Sequence, residues 1–346
     1  MYPPKADTSR RAIKTAPFLL ALFFSVLVCN TPSSRAQNPI PPIAPPAVPP
    51  PPGQQTPQGA RLKTSVDLVV LHVTVTDSRG EFVPDMKKGE FQVFEDKIPQ
   101  DVSLFSRDDV PVTMGLVIDN SGSMREKRAQ VSAAAMSFVK TSNPQDEAFV
   151  VNFNDEYYLD TDGDFTNDQK NLEDALSRID TRGSTALYDA VIGSLAHLKK
   201  GHKDKRVLLL VTDGDDDASR KTLEDALKAS EESNATIYAI GVYSEDDLKH
   251  DKRMVRRSQK ILTQLAEATG GLAYFPENLE DVTPICEKVA HEIRNQYTLG
   301  YYPTNTAKDG TFRTVQVRAF PPSGTGKVLV RTRTGYYAPK ATAAAD

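Results

Sequence analysis

An apolar run, MGLVI (114–118), ends in DNSGSM, which sets one carboxylate and two hydroxyls at alternate positions: Asp119, Ser121 and Ser123. Buried oxygen side chains are costly unless something satisfies them, and three on one loop are a donor set suited to a hard divalent cation. Two other loops carry matching residues. VTDGDDD (211–217) follows a second apolar run and offers Asp213, and RGSTALYDA (182–190) opens a helical pattern and offers Thr185. Each stretch alone also reads as an ordinary turn or helix cap, since Ser, Thr and Asp favour both. Together, Asp119, Ser121, Ser123, Thr185 and Asp213 are candidate ligands for Mg²⁺, or for Mn²⁺ or Ca²⁺. So few carboxylates leave a bound ion electrophilic, which favours an external Asp or Glu as the last ligand.

Catalytic patterns fit less well. The five histidines lack zinc spacing, and neither Ser121 nor Ser123 sits in a G-x-S-x-G elbow. SGTGK (323–327) lacks the upstream glycine and the following Ser or Thr of a phosphate loop. A metal-assisted hydrolase would need Asp119 as nucleophile, and Ser121 stands where the phosphatase pattern has a second Asp. DTDGDFTND (160–168) departs from a calcium loop in its glycine position and reads as an exposed loop, and Asp215, Asp216 and Asp217 read as solvated. The expectation is a binding protein rather than an enzyme.

The elements that must hold these residues follow from periodicity. VTMGLVID, EAFVVNFN, RVLLLVTD and ATIYAIGV are apolar on both faces and alternate with helical stretches at 124–142, 168–179, 185–199, 219–233, 258–269 and 278–294. That alternation predicts a doubly wound α/β domain with a mostly parallel sheet, about residues 111–297. Such sheets carry their sites beyond the carboxyl ends of the strands, so the three loops should share one rim. KHDKRMVRRSQK (249–260) reads as a solvated loop and helix start, and Cys286 as a buried small hydrophobe.

On either side the period changes to two. SVDLVVLHVTVTD and EFQVFED predict a β segment at 61–110, and QYTLGYYP, TFRTVQVRAF and KVLVRTRTGYY a second at 298–338. The two either form one β-domain from both ends of the chain or flank the middle as separate modules.

Arg10, Arg11 and Lys14 precede FLLALFFSVLVC, and small residues follow near Ala36, the pattern of a cleavable export signal over 1–36. The apolar stretch is short of the ~20 residues that span a bilayer, so a periplasmic or secreted protein is expected, with a lipoprotein or uncleaved anchor as the lesser reading. Residues 37–60 are a Pro-rich linker and 339–346 a disordered tail. Loss of 1–36 removes five basic residues and one acid, taking the formal net charge from −4 to −8. An acidic chain without a basic stripe is a poor partner for nucleic acid or an anionic membrane.

D-x-S-x-S after the first strand, the Thr of a G-S-T turn and the T-D-G after a later strand resemble the metal-ion-dependent adhesion site of von Willebrand factor type A domains. The exported chain as a whole is similar to bacterial, acidobacterial-type proteins of that family, through DLVVLHVTVTDSRG, FQVFED and QYTLGYYP. The resemblance implies that Ser121 and Ser123 bind the metal directly. Thr185, Asp119 and Asp213 would bind it directly or through water, and a protein partner would add an acidic side chain. An envelope scaffold without metal-dependent binding is the alternative, and a metal-assisted hydrolase the weakest.

Overall fold

A computed structural model describes residues 68–141, 143–178, 180–321 and 326–341. The expected export signal, the Pro-rich linker, the start of the first β segment, most of the SGTG turn and nearly all of the tail lie outside the described residues.

In chain order the strands are β1 (Val69–Thr76), β2 (Phe91–Glu95), β3 (Ile98–Gln100), β4 (Val102–Ser106), β5 (Val112–Asp119), β6 (Glu147–Phe153) and β7 (Tyr157–Leu159). Next come β8 (Lys205–Thr212), β9 (Thr236–Gly241), β10 (Ala273–Tyr274), β11 (Tyr297–Tyr301), β12 (Phe312–Ala319), β13 (Leu329–Arg331) and β14 (Gly335–Tyr337). The helices are α1 (Arg128–Lys140), α2 (Gln169–Leu176), α3 (Leu187–Leu198), α4 (Leu223–Glu231), α5 (Glu245–His250), α6 (Lys252–Ala268) and α7 (Val282–Arg294).

The runs that are apolar on both faces form one sheet in the order β10-β9-β8-β5-β6-β7, parallel except for the edge strand β7. Met114, Leu116 and Ile118 pack with residues of α1, α2 and α7 on one face, and Val117 and Phe149 with α3, α4 and α6 on the other. Both faces are dry, as a parallel sheet requires. Gly115 in β5 lies opposite Phe149 of β6, and a Cβ there would come within 2.6 Å of the Phe149 ring. The chain leaves β5 for β6 on one side and returns to β8 on the other, so the order reverses at β5. Ligand crevices of open α/β sheets lie at this switch point.

The helices follow the expected pattern with shifted starts. Residues 122–124 form a 3-10 turn and α1 begins only at Arg128, because Ser121 is extended and the loop has not yet turned into helix. Helix α4 begins at Leu223 behind a capping box of Thr222 and Asp225. The basic run expected as a loop and helix start belongs almost wholly to helix: α5 ends at His250, and the Asp251 carboxylate accepts the Met254 N–H to start α6 six residues earlier than the 258 expected.

The flanking strands pair with each other across the length of the chain. Strands β13-β1-β11-β4 make one sheet and β14-β12-β2-β3 another, with β1 antiparallel to β11 and β12 antiparallel to β2. Leu71, Val73, Phe91 and Val93 from the first half share one core with Tyr297, Leu299, Tyr301, Val315 and Tyr336 from the second. The α/β unit is thus inserted between β4 and β11, and α7 runs into β11 after only Asn295 and Gln296. The N-terminal strands pair in two ways: β2 and β3 form a hairpin around Asp96 and Lys97, both with positive φ, whereas β1 finds its partners in the C-terminal strands.

Candidate metal centre

Asp119 is the last residue of β5, paired with Phe153 of β6, and on its other side the ladder to β8 ends one residue earlier, at Ile118 and Val211. That placement lets the Thr212 hydroxyl donate to Asp119 Oδ2 at 2.5 Å, while Oδ1 accepts the Ser121 N–H at 2.8 Å. Asp119 is fully buried. Burial first, and the nearby Asp213 carboxylate second, raise its pKa above the ordinary carboxylate range. The Ser121 and Ser123 hydroxyls stand 3.1 Å apart, Ser121 buried and Ser123 exposed, so the loop is open to solvent on the Ser123 side. Asp213 is 3% exposed and accepts no hydrogen bond among the described residues. Its partner is the Lys127 ammonium, 3.5 Å from Oδ2.

Thr185 reaches this rim through the backbone of its loop. The Gly122 N–H donates to the Gly183 carbonyl at 3.2 Å, and the N–H groups of Asp217 and Ala218 donate to the Thr185 carbonyl at 3.1 Å. Gly183 has φ +74, and a side chain there would strike the Asp155 carboxylate, which accepts the Ser184 N–H at 2.9 Å. The loop is therefore laced to both neighbouring loops. Asp119, Ser121, Ser123 and Asp213 interact directly or through one another, and Thr185 is brought alongside by main-chain bonds.

Asp217 is exposed, as expected of a solvated residue, and Asp216 half-buried, and both have definite work at the start of α3. Asp217 accepts the Thr185 N–H at 2.7 Å, and Asp216 accepts the Tyr188 N–H at 3.2 Å and the Ser219 hydroxyl at 2.6 Å. Asp216 satisfies an N–H that the helix start leaves unpaired, and Asp217 ties down the residue before the N-cap. Asp215 is exposed, and partial burial raises its pKa against the opposing Arg257 charge. A run of three acids gives no hint of this division of labour, because it depends on which loop lies opposite.

Two buried cations also escaped the sequence reading. Lys127 is 3% exposed; it donates to the Val242 carbonyl at 3.0 Å and lies 3.4 Å from Asp247. Arg128, fully buried, donates to Asn120 at 3.3 Å and Asn152 at 2.5 Å, and the Asp119 charge opposes the pKa lowering that its burial causes. One signal is present in the sequence: Lys127 lies four residues before Val131, in line with the apolar stripe of α1 at its N-cap, where a lysine needs a buried partner.

The donor chemistry fits a hard divalent cation. Among the described residues no three Asp, Glu, His or Cys side chains gather into a cage. The site instead combines two carboxylates with hydroxyls, as oxygen-seeking ions require. DTDGDFTND forms no such group: Asp160 and Asp162 pair with Arg178, each at 3.5 Å, and Asp168 caps α2. Cys286 is buried and inert, its thiol pushed up to about 12 by burial.

Residues 114–215 match the family model described as the von Willebrand factor type A domain. The match takes in all five candidate ligands and ends inside the last loop, before α4, β9 and the rest of the α/β unit and short of the flanking β strands. No curated protein matches the chain in sequence. Among solved structures, a von Willebrand factor type A protein from Catenulispora acidiphila is similar at 12% identity, over 78% of this chain and 74% of that one, with a TM-score of 0.47. The vWF domain of the type V pili tip protein Mfa5 from Porphyromonas gingivalis is similar at 12% identity, over 54% and 95%, with a TM-score of 0.44. Proximal thread matrix protein 1 from the mussel byssus, with a zinc-occupied MIDAS motif, is similar at 16% identity, over 57% and 49%, with a TM-score of 0.46. With its parallel sheet, its switch point at β5 and its family match, the unit that carries these loops is a von Willebrand factor type A domain.

Proposed function

We propose that this protein is a non-enzymatic, metal-dependent binding module that captures an acidic side chain of a protein partner outside the cytoplasm. Asp119, Ser121, Ser123, Thr185 and Asp213 would hold the ion, Mg²⁺ or its close substitutes. A bound dication would supply electrostatic attraction for an incoming carboxylate.

The like charge of two buried acids carries the reading. Asp119 and Asp213 are buried close enough to repel one another, Asp213 has only the Lys127 ammonium as an ion-pair partner among the described residues, and further carboxylates (Asp216, Asp217, Asp247) stand on neighbouring elements. A dication would relieve that repulsion and attract one external carboxylate. Uncompensated charge in a poorly solvated site is costly, so metal and acid should bind better together than apart. Ser123, exposed beside the buried Ser121, provides the opening through which a partner would reach the site.

The remaining residues hold this geometry. Asp119 is fixed by Thr212 and Ser121, the Thr185 loop by Asp155 and Asp217, and Asn120 by Arg128. Such support keeps donor atoms in place without saturating them.

Export rests on the N-terminal sequence pattern. Among the described residues, no helix is long and apolar enough to cross a membrane.

The test is calorimetric titration of Mg²⁺ and Mn²⁺ into the chelator-stripped full chain, with and without a glutamate-bearing peptide, beside an Asp119→Ala, Asp213→Ala variant. One-site binding that tightens with the peptide and vanishes in the variant is expected. A chain that binds neither ion in either arm would overturn the reading and leave a scaffold that keeps the fold alone.

A further inference from the structure

We infer that Lys127 is the site's internal counter-cation: its ammonium holds Asp213 in the metal-free chain and yields Asp213 when a divalent ion binds, keeping metal affinity low until a partner's carboxylate joins. The inference rests on the metal-binding reading above and assigns the regulation of that site to one residue.

The observations start from burial. The Lys127 side chain is 4% exposed, at the N-cap of α1 four residues before the buried Val131, a place where a lysine is rarely found without a partner. Its ammonium meets three oxygens, two from loops and one from the first turn of α5: the Val242 carbonyl at 3.0 Å, Asp213 Oδ2 at 3.5 Å and Asp247 Oδ2 at 3.4 Å. Of the three, Asp213 is the weakest tie, an ion pair too poorly aligned for a hydrogen bond. Asp213 meanwhile keeps its acceptors open, as a ligand-in-waiting must.

A place for the displaced charge already exists. Asp247 is fixed by its own capping box, its Oδ2 accepting the Ser244 N–H at 2.8 Å and the Ser244 hydroxyl accepting the Asp247 N–H at 3.1 Å. Lys127 can therefore lean from Asp213 toward Asp247 and Val242 without losing its remaining partners. A dication on Asp213 and the ammonium repel one another at short range, which penalises metal binding until an added negative charge relieves it.

Two substitutions should move metal affinity in opposite directions. Lys127→Met removes the competing charge and should tighten Mn²⁺ binding, measured by calorimetry, roughly tenfold or more. It should also lower the melting temperature of the stripped protein more than that of the Mn²⁺-loaded one. Asp247→Asn removes the alternative negative charge, leaves Asp213 as the nearest carboxylate to the ammonium, and should weaken Mn²⁺ binding by roughly threefold. Lys127→Arg keeps the charge and should stay near the parent; it and Asp247→Asn carry the test if Lys127→Met does not fold. A purely structural lysine predicts no gain in affinity and an equal melting loss with and without Mn²⁺. Parent-like binding in both Lys127→Met and Asp247→Asn, or weaker binding in Lys127→Met, overturns the inference and leaves the metal site standing. Failure of the parent and of Lys127→Met alike to bind Mn²⁺ overturns both.

Discussion

Buried carboxylates occur in two settings in this molecule, and they are treated differently. In the β unit Glu95 is 2% exposed, and it accepts the Tyr301 hydroxyl at 2.8 Å and the Tyr336 hydroxyl at 2.7 Å, with Arg313 at 3.4 Å. Glu292 of α7 is likewise closed, by Tyr238 at 2.8 Å, Arg331 at 2.8 Å and Thr74 at 3.3 Å. At the rim of the α/β sheet, Asp213 has a single loose ion pair, and Asp119 sits against a like charge. A carboxylate buried for structure is surrounded until its lone pairs are used. One kept for a ligand is held in place with lone pairs to spare, and the local instability is the cost of being ready to bind.

The contrast can be broken most directly at Glu95. Glu95→Ala strands Arg313 and two tyrosine hydroxyls in the core, and denaturant unfolding should show a loss of about 3–5 kcal/mol. A loss below about 1 kcal/mol would mean that saturation is not what this acid contributes.

A group in the β unit that is not saturated sharpens the comparison. His72 Nδ1 is buried without a hydrogen-bond partner, and burial first, then the charges of Lys205 and Arg333, lower its pKa to about 3. Folded His72 stays neutral while the unfolded chain takes up a proton below pH 6.5, so its contribution is complete above pH 6.5 and is lost as pH falls toward 3. Unfolding free energy should drop by about 2 kcal/mol between pH 6.5 and 5 through this residue, and His72→Gln should flatten that segment of the profile.

Gly183→Ala probes the support of the open site. With φ +74 and the Asp155 carboxylate in the way, the change should cost about 1–2 kcal/mol in thermal unfolding and weaken metal binding by moving the Thr185 loop. Unchanged metal affinity would show that the position of Thr185 does not matter to the ion.

The smallest stability effect should belong to Asp119→Asn. The amide can still accept the Ser121 N–H, and it relieves the repulsion with Asp213, so the stripped protein should melt within about 1 kcal/mol of the parent, or above it, while metal binding is lost. A large destabilisation would place Asp119 with Glu95 among the structural acids and erase the distinction between the two settings.

By itself the sequence determined the local matters. Apolar runs such as MGLVI and RVLLLV, each ended by turn residues and alternating with helical stretches, read as buried strands, and the i, i+3, i+4 stripe from Val131 to Val139 reads as a packed helix. The five candidate ligands were legible because they lie at the carboxyl ends of those strands or at the start of a helix, where chain direction alone puts them on one rim.

What tertiary structure decided is everything that depends on which loop faces which. The pairing of β1 with β11 joins residues more than 200 positions apart, and no periodicity within either segment encodes its partner. Asp216 and Asp217 became supports for the Thr185 loop because that loop lies opposite, and Lys127 became a counter-cation because Asp213, Val242 and Asp247 converge on it from other elements. A single side chain shows its type in the sequence, but its electrostatic work is set by neighbours that only folding supplies.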